Sequence, residues 1–417
     1  MKFRKSLLGA AIAGTLASSS MAGEVEVLHW WTSGGEAAAI AVLRDMVEDE
    51  GHTWTDFSVA GGAGENAMTV LRARAVSGNP PASAQIKGLE IQEWGDLGFL
   101  ASLDSVAAAD GWDDFLPEEV ASVMKYDGQY VAVPVNVHRV NWMWANPEVL
   151  ESAGVSAPTT LDELWEVADQ LQAAGYTPIA HGGQAWQDAT TFENFVLATG
   201  GPELFSRAFV DHDEDALTSD AMKEAFTHLR RITDYIDEGA PGRDWDQATA
   251  MVIRGEAGIQ FMGDWAKGEF TAAGLTAGED YLCVAFPGTD GMFTHNVDSL
   301  AMFTQRDSAN QEAQATMASL VLSTEFQETF NQNKGSIPVR LDHDMSTFDE
   351  CAQASMDTFV ATSQAGEGLV PSMAHGMSTT SSVQGAIYDV VTAFFNSTSM
   401  TEDQAVSRLA SAVRAAQ

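Results

Sequence analysis

The stretch Glu24-Val25-Glu26-Val27-Leu28-His29-Trp30-Trp31-Thr32-Ser33-Gly34-Gly35-Glu36 decides the fold. Its first half alternates like a half-buried strand, and Thr32-Ser33-Gly34-Gly35 then turns the chain into the apolar-periodic stretch 36–50, so it reads strand, loop, helix. The unit returns at once. A second strand over 53–59 leads through Gly61-Gly62-Ala63-Gly64 into a helical pattern over 65–77, and 84–87 forms a third strand. Repeated βα units imply a mainly parallel sheet with helices on both faces. Ligands of such sheets sit beyond the carboxyl ends of the strands, where Trp30, Trp31 and Lys87 fall.

Further along, the apolar run 130–137 carries Pro134, which a central strand would reject, so it reads as an edge strand or a crossing between lobes. Pro158-Thr159-Thr160 opens a helix that Gly175 ends. Short strands follow at 177–180 and 281–286, the second running into Pro287-Gly288 as another crossing. From Leu300 the pattern is strand, then a helix to about Asn331, then a loop over 333–340 and a helical C-terminus. No repeat or long linker separates these parts, so the lobes are interwoven by short crossings.

The chain has 417 residues, 45% hydrophobic, enough for two or more packed lobes. Its 59 Asp and Glu against 21 Lys and Arg give a formal charge of −38, which excludes nucleic acid and anionic membrane surfaces as charge-driven partners. The acid excess also suggests a saline habitat. Lys2, Arg4 and Lys5 precede an apolar run over 7–16 and then Ser20-Met21-Ala22, so residues 1–22 read as a signal peptide cut after Ala22. No cysteine stands at the cut, which favours free diffusion in a periplasm over a lipid anchor, and no later stretch reaches the ~18 apolar residues of a membrane span. In an exported protein the two cysteines, Cys283 and Cys351, are expected to form one bridge. Closing a loop of about 69 residues is worth roughly 4 kcal/mol in the chain-entropy picture.

Successive strand residues point to opposite faces, so of Trp30 and Trp31 at most one ring can be buried in the strand's own core. The other is free to lie against the C–H face of a pyranose, with Glu36 and Lys87 placed to exchange hydrogen bonds with its hydroxyls; a purely structural tryptophan pair is the alternative. Gly62-Ala63-Gly64-Glu65-Asn66-Ala67 has dinucleotide-loop spacing but reads better as a βα turn with unusual dihedrals. Asp211-His212-Asp213-Glu214-Asp215 opens like a calcium loop, yet Ala216 and Met222 replace the required glycine and glutamate. No metal or cofactor is expected, and no protease, hydrolase or phosphate-loop motif is present. A glycosidase would need paired carboxylates such as Glu36 and Asp298. A cage for a quaternary ammonium solute is a third possibility, against which Lys87 and Lys334 would argue.

Several segments together resemble family 1 of the extracellular solute-binding proteins of ATP-driven sugar importers, most closely the periplasmic glucose/mannose-binding branch. They are 27–36, Val133-Pro134-Val135-Asn136-Val137-His138, Pro158 to Leu164, Gly263-Asp264-Trp265 and Lys334-Gly335-Ser336-Ile337-Pro338-Val339-Arg340, in order over nearly the whole mature chain. The resemblance implies an α/β periplasmic binding protein fold of type II, with two lobes, each a mainly parallel sheet flanked by helices, joined by three hinge crossings. It implies lobes of 23–135 plus 288–338 and of 136–287 plus 339–417, both cysteines in the second. By the same resemblance Trp30 and Trp31 stack on or edge the sugar, while Glu36, Lys87, Asp298, Lys334 and His375 bond its hydroxyls. Asn136, His138, Trp186 and Trp265 are weaker candidates lining the cleft. The implied role is capture, not catalysis: a monomer in the periplasm binds a monosaccharide such as glucose, closes over it and delivers it to a membrane permease.

Overall fold

The computed structural model describes residues 22–417, so the expected leader lies, except for Ala22, outside them. Among the described residues twelve strands follow in order: β1 (Glu24–His29), β2 (Thr53–Ser58), β3 (Ser83–Lys87), β4 (Lys125–Tyr126), β5 (Gln129–Tyr130), β6 (Ala132–Arg139), β7 (Trp142–Ala145), β8 (Thr177–Ala180), β9 (Ala257–Phe261), β10 (Leu282–Ala285), β11 (Phe293–Met302) and β12 (Leu369–Pro371). They form a six-stranded sheet in the order β12-β11-β3-β1-β2, with β6 also on β11, a four-stranded sheet β10-β7-β9-β8, and the small β4-β5 hairpin. Each large sheet carries its own hydrophobic core and is flanked by helices. No helix among the described residues is long and apolar enough to cross a membrane.

The opening segment folds as its pattern dictates. Val25 and Val27 point into the core from β1, and the helix Gly34–Asp49 buries Ala39, Ile40, Leu43 and Val47 at helical spacing. Thr160 caps the helix Leu161–Ala173, with Glu163 reaching back in a reciprocal capping box. Pro134 sits where β6 slips register against β11, between Asp298 and Ser299, on a strand whose sheet partner is β11 alone. The missing N–H thus falls at a bulge on an edge, and β6 runs on into β7 of the other sheet, so the segment is edge strand and crossing at once. The chain also crosses between β10 and β11, and again after β12 into the helix Ser381–Phe395.

Strand direction differs from expectation in the second sheet. The first sheet has three parallel pairings (β1–β2, β1–β3, β11–β12) and two antiparallel ones, whereas in the second only β8–β9 is parallel. β7 and β10 are short crossing strands rather than βα units, which frees them from the parallel rule. A second difference concerns 339–371. β12 pairs with β11, and the helix Glu350–Ala365 sends Ala352, Met356 and Phe359 into the first core, so this segment packs with the first sheet although the sequence reading grouped it with the second lobe. Cys351 opens that helix and is bonded to Cys283 on β10; both cysteines pack with the second core, so the bond ties the start of the helix there while its later residues turn to the first.

Candidate functional site

A cavity of about 370 Å³ lies between the two sheets. Its floor comes from strand register. Lys87 at the end of β3, Asp298 on β11 and Asn136 on β6 stand in one row across three neighbouring strands. Asn296 and His138, two residues away on their strands, share that face. β3 and β12 approach β11 from opposite ends and stop on either side of Asn296 and Val297, which makes the floor a switch point in the sheet.

The floor is charged and internally paired. The His138 ring bonds Asp264 through Nδ1 and Asp298 through Nε2, the latter at 3.0 Å. Burial disfavours the charged ring, but the Asp264 and Asp298 carboxylates outweigh it and raise its pKa, so His138 is an imidazolium between two carboxylates. Burial likewise opposes the Asp298 charge, and His138, Lys334 and Lys87 overcome it, holding Asp298 below the usual carboxylate range. Lys334 Nζ donates to Glu36 Oε1 at 3.0 Å with both side chains buried. Glu36 Oε2 meanwhile accepts the N–H groups of Thr32 and Ser33 at 3.1 and 3.3 Å, which ties it to the start of the helix Gly34–Asp49. Lys87 has only the Ala63 carbonyl at 3.4 Å, and burial lowers its pKa against the pull of Asp298.

The walls are aromatic. Trp30 is half-buried and faces the cavity with the Lys87 ammonium 5.2 Å from its ring centroid. Trp31 is 2% exposed and packs edge-on to Phe330 in the core, with one edge reaching the cavity. The pair therefore divides as strand geometry requires. The turn beneath Trp30 needs its glycine: a Cβ on Gly64, at φ 109°, would lie 3.0 Å from the indole, and Ala63 beside it is held at φ 48°. Gly62 to Ala67 is thus a turn that shapes the site, as expected. Opposite, Trp186 and Trp265 come from the second half, 6.2 Å apart, and each ring lies within about 6 Å of His375.

All seven principal candidates (Trp30, Trp31, Glu36, Lys87, Asp298, Lys334 and His375) line this one cavity, as do His138, Trp186 and Trp265. Asn136 does not. It is fully buried behind the floor, where its Nδ2 donates to Ser336 Oγ at 2.8 Å and its amide lies beside the His138 ring. Sequence reasoning missed Gln184, Trp245, Asp246 and Asn296. Trp245 opens a helix just after Asp244 and stays half-buried; its tryptophan identity was the one available signal. Three buried polar atoms of lining residues have no protein partner: Ser33 Oγ, Asn296 Oδ1 and His375 Nε2. Such atoms are costly unless a ligand or water meets them.

The arrangement is built to hold rather than to cleave. Glu36 and Asp298, the one carboxylate pair considered for glycosidic chemistry, are each engaged by a buried basic side chain, and the carboxyl of Asp298 is held below the usual range, which suits it poorly to protonate a leaving group. The family model of bacterial extracellular solute-binding proteins matches residues 36–325. A probable sugar-binding periplasmic protein of Brucella suis is 47% identical over 421 residues, spanning 98% of this chain and 99% of the relative. Among solved structures, a chitin oligosaccharide binding protein superposes with a TM-score of 0.79 at 19% identity, covering 95% of this chain and 99% of its own. A bacterial solute receptor with an exclusive preference for β-D-galactopyranose gives the same TM-score at 19% identity, covering 94% and 99%. Pairing, packing and sequence likeness meet in one assignment: the chain belongs to the bacterial extracellular solute-binding proteins, as a periplasmic binding protein and not an enzyme.

Proposed function

We infer that this sugar-binding periplasmic component of an ATP-driven importer takes a single monosaccharide, with glucose preferred, and hands it to a membrane permease. One observation carries the reading. The cavity, at about 370 Å³, stands at the small end of the 300–1,000 Å³ range of ligand pockets, and it sets indole walls against a hydroxyl-bonding floor. Trp30, Trp186, Trp245 and Trp265 serve the C–H faces of the ring. Lys87, Glu36, Asp298, Lys334 and His375 serve its hydroxyls, through charge-assisted bonds stronger than neutral ones. The partly separate packing of the two sheets supports two lobes, which we draw by strand membership as 23–139 plus 293–371 and 140–292 plus 372–417. They close on the sugar as a monomer, because a ligand touching both sides favours the closed form.

Calorimetric titration with glucose, mannose, galactose and maltose tests this. Saturable glucose binding near the micromolar range, roughly −8 kcal/mol, is expected; heat from none of the monosaccharides refutes it. A second reading has its own observation. An adjoining cavity of about 390 Å³ shares Trp30, Ala63, Lys87 and His375 with the first. If maltose binds more tightly than glucose, the two cavities act as one site for a longer sugar.

A further inference from the structure

His375 meets the cavity through a nitrogen that nothing in the protein contacts, and the state of that nitrogen is set from behind. The carboxylate of Glu193, in the helix Ala185–Phe209, is fully buried and no part of it reaches the cavity. Its Oε2 accepts the N–H groups of Met373 and Ala374 at 2.8 and 3.0 Å. Its Oε1 accepts the Ser372 hydroxyl at 2.6 Å. The same hydroxyl lies 2.9 Å from Nδ1 of His375. A hydroxyl has one hydrogen; once it is given to Glu193, the Ser372 oxygen can only accept from His375. Nδ1 must then carry the ring proton, which leaves Nε2 bare.

We propose that Glu193 is a positioning residue that, through Ser372, dictates which nitrogen of His375 is protonated and so makes the ring a hydrogen-bond acceptor toward the sugar. The proposal rests on the sugar reading of the cavity given above. Its value there is balance: Lys87 and Lys334 supply donors, and His375 adds an acceptor for a hydroxyl hydrogen. The ring stays neutral, because burial and the nearby Lys87 and His138 cations hold its pKa well below the ordinary value, with Asp298 pulling the other way. Besides these, Lys334 bears on the ring, and Tyr388, whose hydroxyl donates to the Ala374 carbonyl, stands near Glu193.

The relay reverses when Glu193 gains a proton. The Nδ1 proton would pass to Ser372 Oγ as the Ser372 hydrogen passes to Glu193 Oε1, which leaves Ser372 donating to Nδ1, and Nε2 would take one proton from the cavity. The ring keeps a single proton, the carboxyl gains one, and the group facing the sugar changes from acceptor to donor. Burial pushes the Glu193 pKa up to about 7, against the donors of Ser372, Ala374 and Met373, so neutral pH spans both states.

Glu193→Gln copies the protonated state in shape: its carbonyl can keep the two backbone donors while its amide donates to Ser372. Long-range nitrogen–proton spectra of the sugar-free protein, with the His375 signals identified by their loss in His375→Gln, read the tautomer directly. In the wild-type protein above neutral pH, Nδ1 is expected to be protonated; in Glu193→Gln, Nε2. Glucose affinity should fall about tenfold or more in the variant, the cost of one mispaired buried hydrogen bond. An unchanged tautomer in Glu193→Gln overturns the proposal, whatever the affinity does. Should that variant not fold, Ser372→Ala cuts the relay at its middle, and a His375 that still shows only the wild-type pattern overturns it equally. A switched tautomer with no sugar response in either protein keeps the relay and refutes the reading of the cavity.

Discussion

The two sides of the cavity are built on different principles. The floor gathers Glu36, Lys87, Asp298 and Lys334 with His138, all from the first sheet and the helices against it, and all of these but Lys87 are paired within it, His138 with Asp298 and Lys334 with Glu36, each at 3.0 Å. The far wall is Trp186, Trp245 and Trp265, set on loops and helix starts of the second half, with a ring contact between Trp186 and Trp265. A charged floor must be paired with or without sugar, so it is part of the fold. An indole wall costs little when bare, so it can belong to binding alone.

Substitution should separate the two. The largest effect is expected for Lys334→Met, which leaves the buried Glu36 charge unpaired: stability should drop by about 3 kcal/mol or more in denaturant unfolding, and sugar binding should vanish. Adding Glu36→Gln to that variant should restore much of the stability and none of the binding; restored binding would mean the floor does not touch the sugar. Next, Trp245→Ala should weaken sugar affinity by about 2 kcal/mol in a titration and leave the unfolding midpoint close to wild type. If it destabilises as strongly as Lys334→Met, the contrast between the sides is false.

A smaller effect is expected from pH. His138 binds its proton more tightly folded than unfolded, so its contribution is complete below its ordinary value of 6.5 and is lost as pH rises through the raised folded value. The stability gap between the wild-type protein and His138→Asn, followed by calorimetry, should therefore narrow on the alkaline side of neutrality. The smallest change belongs to a position far from either side. Thr160→Ala removes the cap of the helix Leu161–Ala173 and should cost about 1 kcal/mol while sparing sugar affinity.

These contrasts explain what could be read in the chain. β1, its turn and the helix after it follow from alternation and helical spacing, and the capped helix at Leu161 from local chemistry, because each is decided within a few residues. Pro134 told correctly that β6 lies on an edge. The antiparallel character of β7 and β10 was hidden, since β7 is buried and β10 half-buried at every position, and four residues without alternation do not betray a strand's direction. In the site, Trp30 with Glu36 and Lys87 was legible as a candidate group around the tryptophan pair, and Asp298, Lys334 and His375 came as candidates from likeness to the family. Asn296 carries no local sign, and Trp245 only its identity as a tryptophan. They become lining residues only when two separate sheets face each other, and Glu193 shows its role only through the loop it holds.

The helix Glu350–Ala365 is fastened at its start in two ways, by the Cys283–Cys351 bond to β10 and by Asp349, which caps the helix and accepts Lys267 Nζ at 2.7 Å. Its remaining length lies on the opposite half through Ala352, Met356 and Phe359. The helix is therefore shared: a covalent bond and an ion pair fix its start to one cluster while its apolar face packs on the other, so covalent and packing contacts tie the two clusters together at this one point.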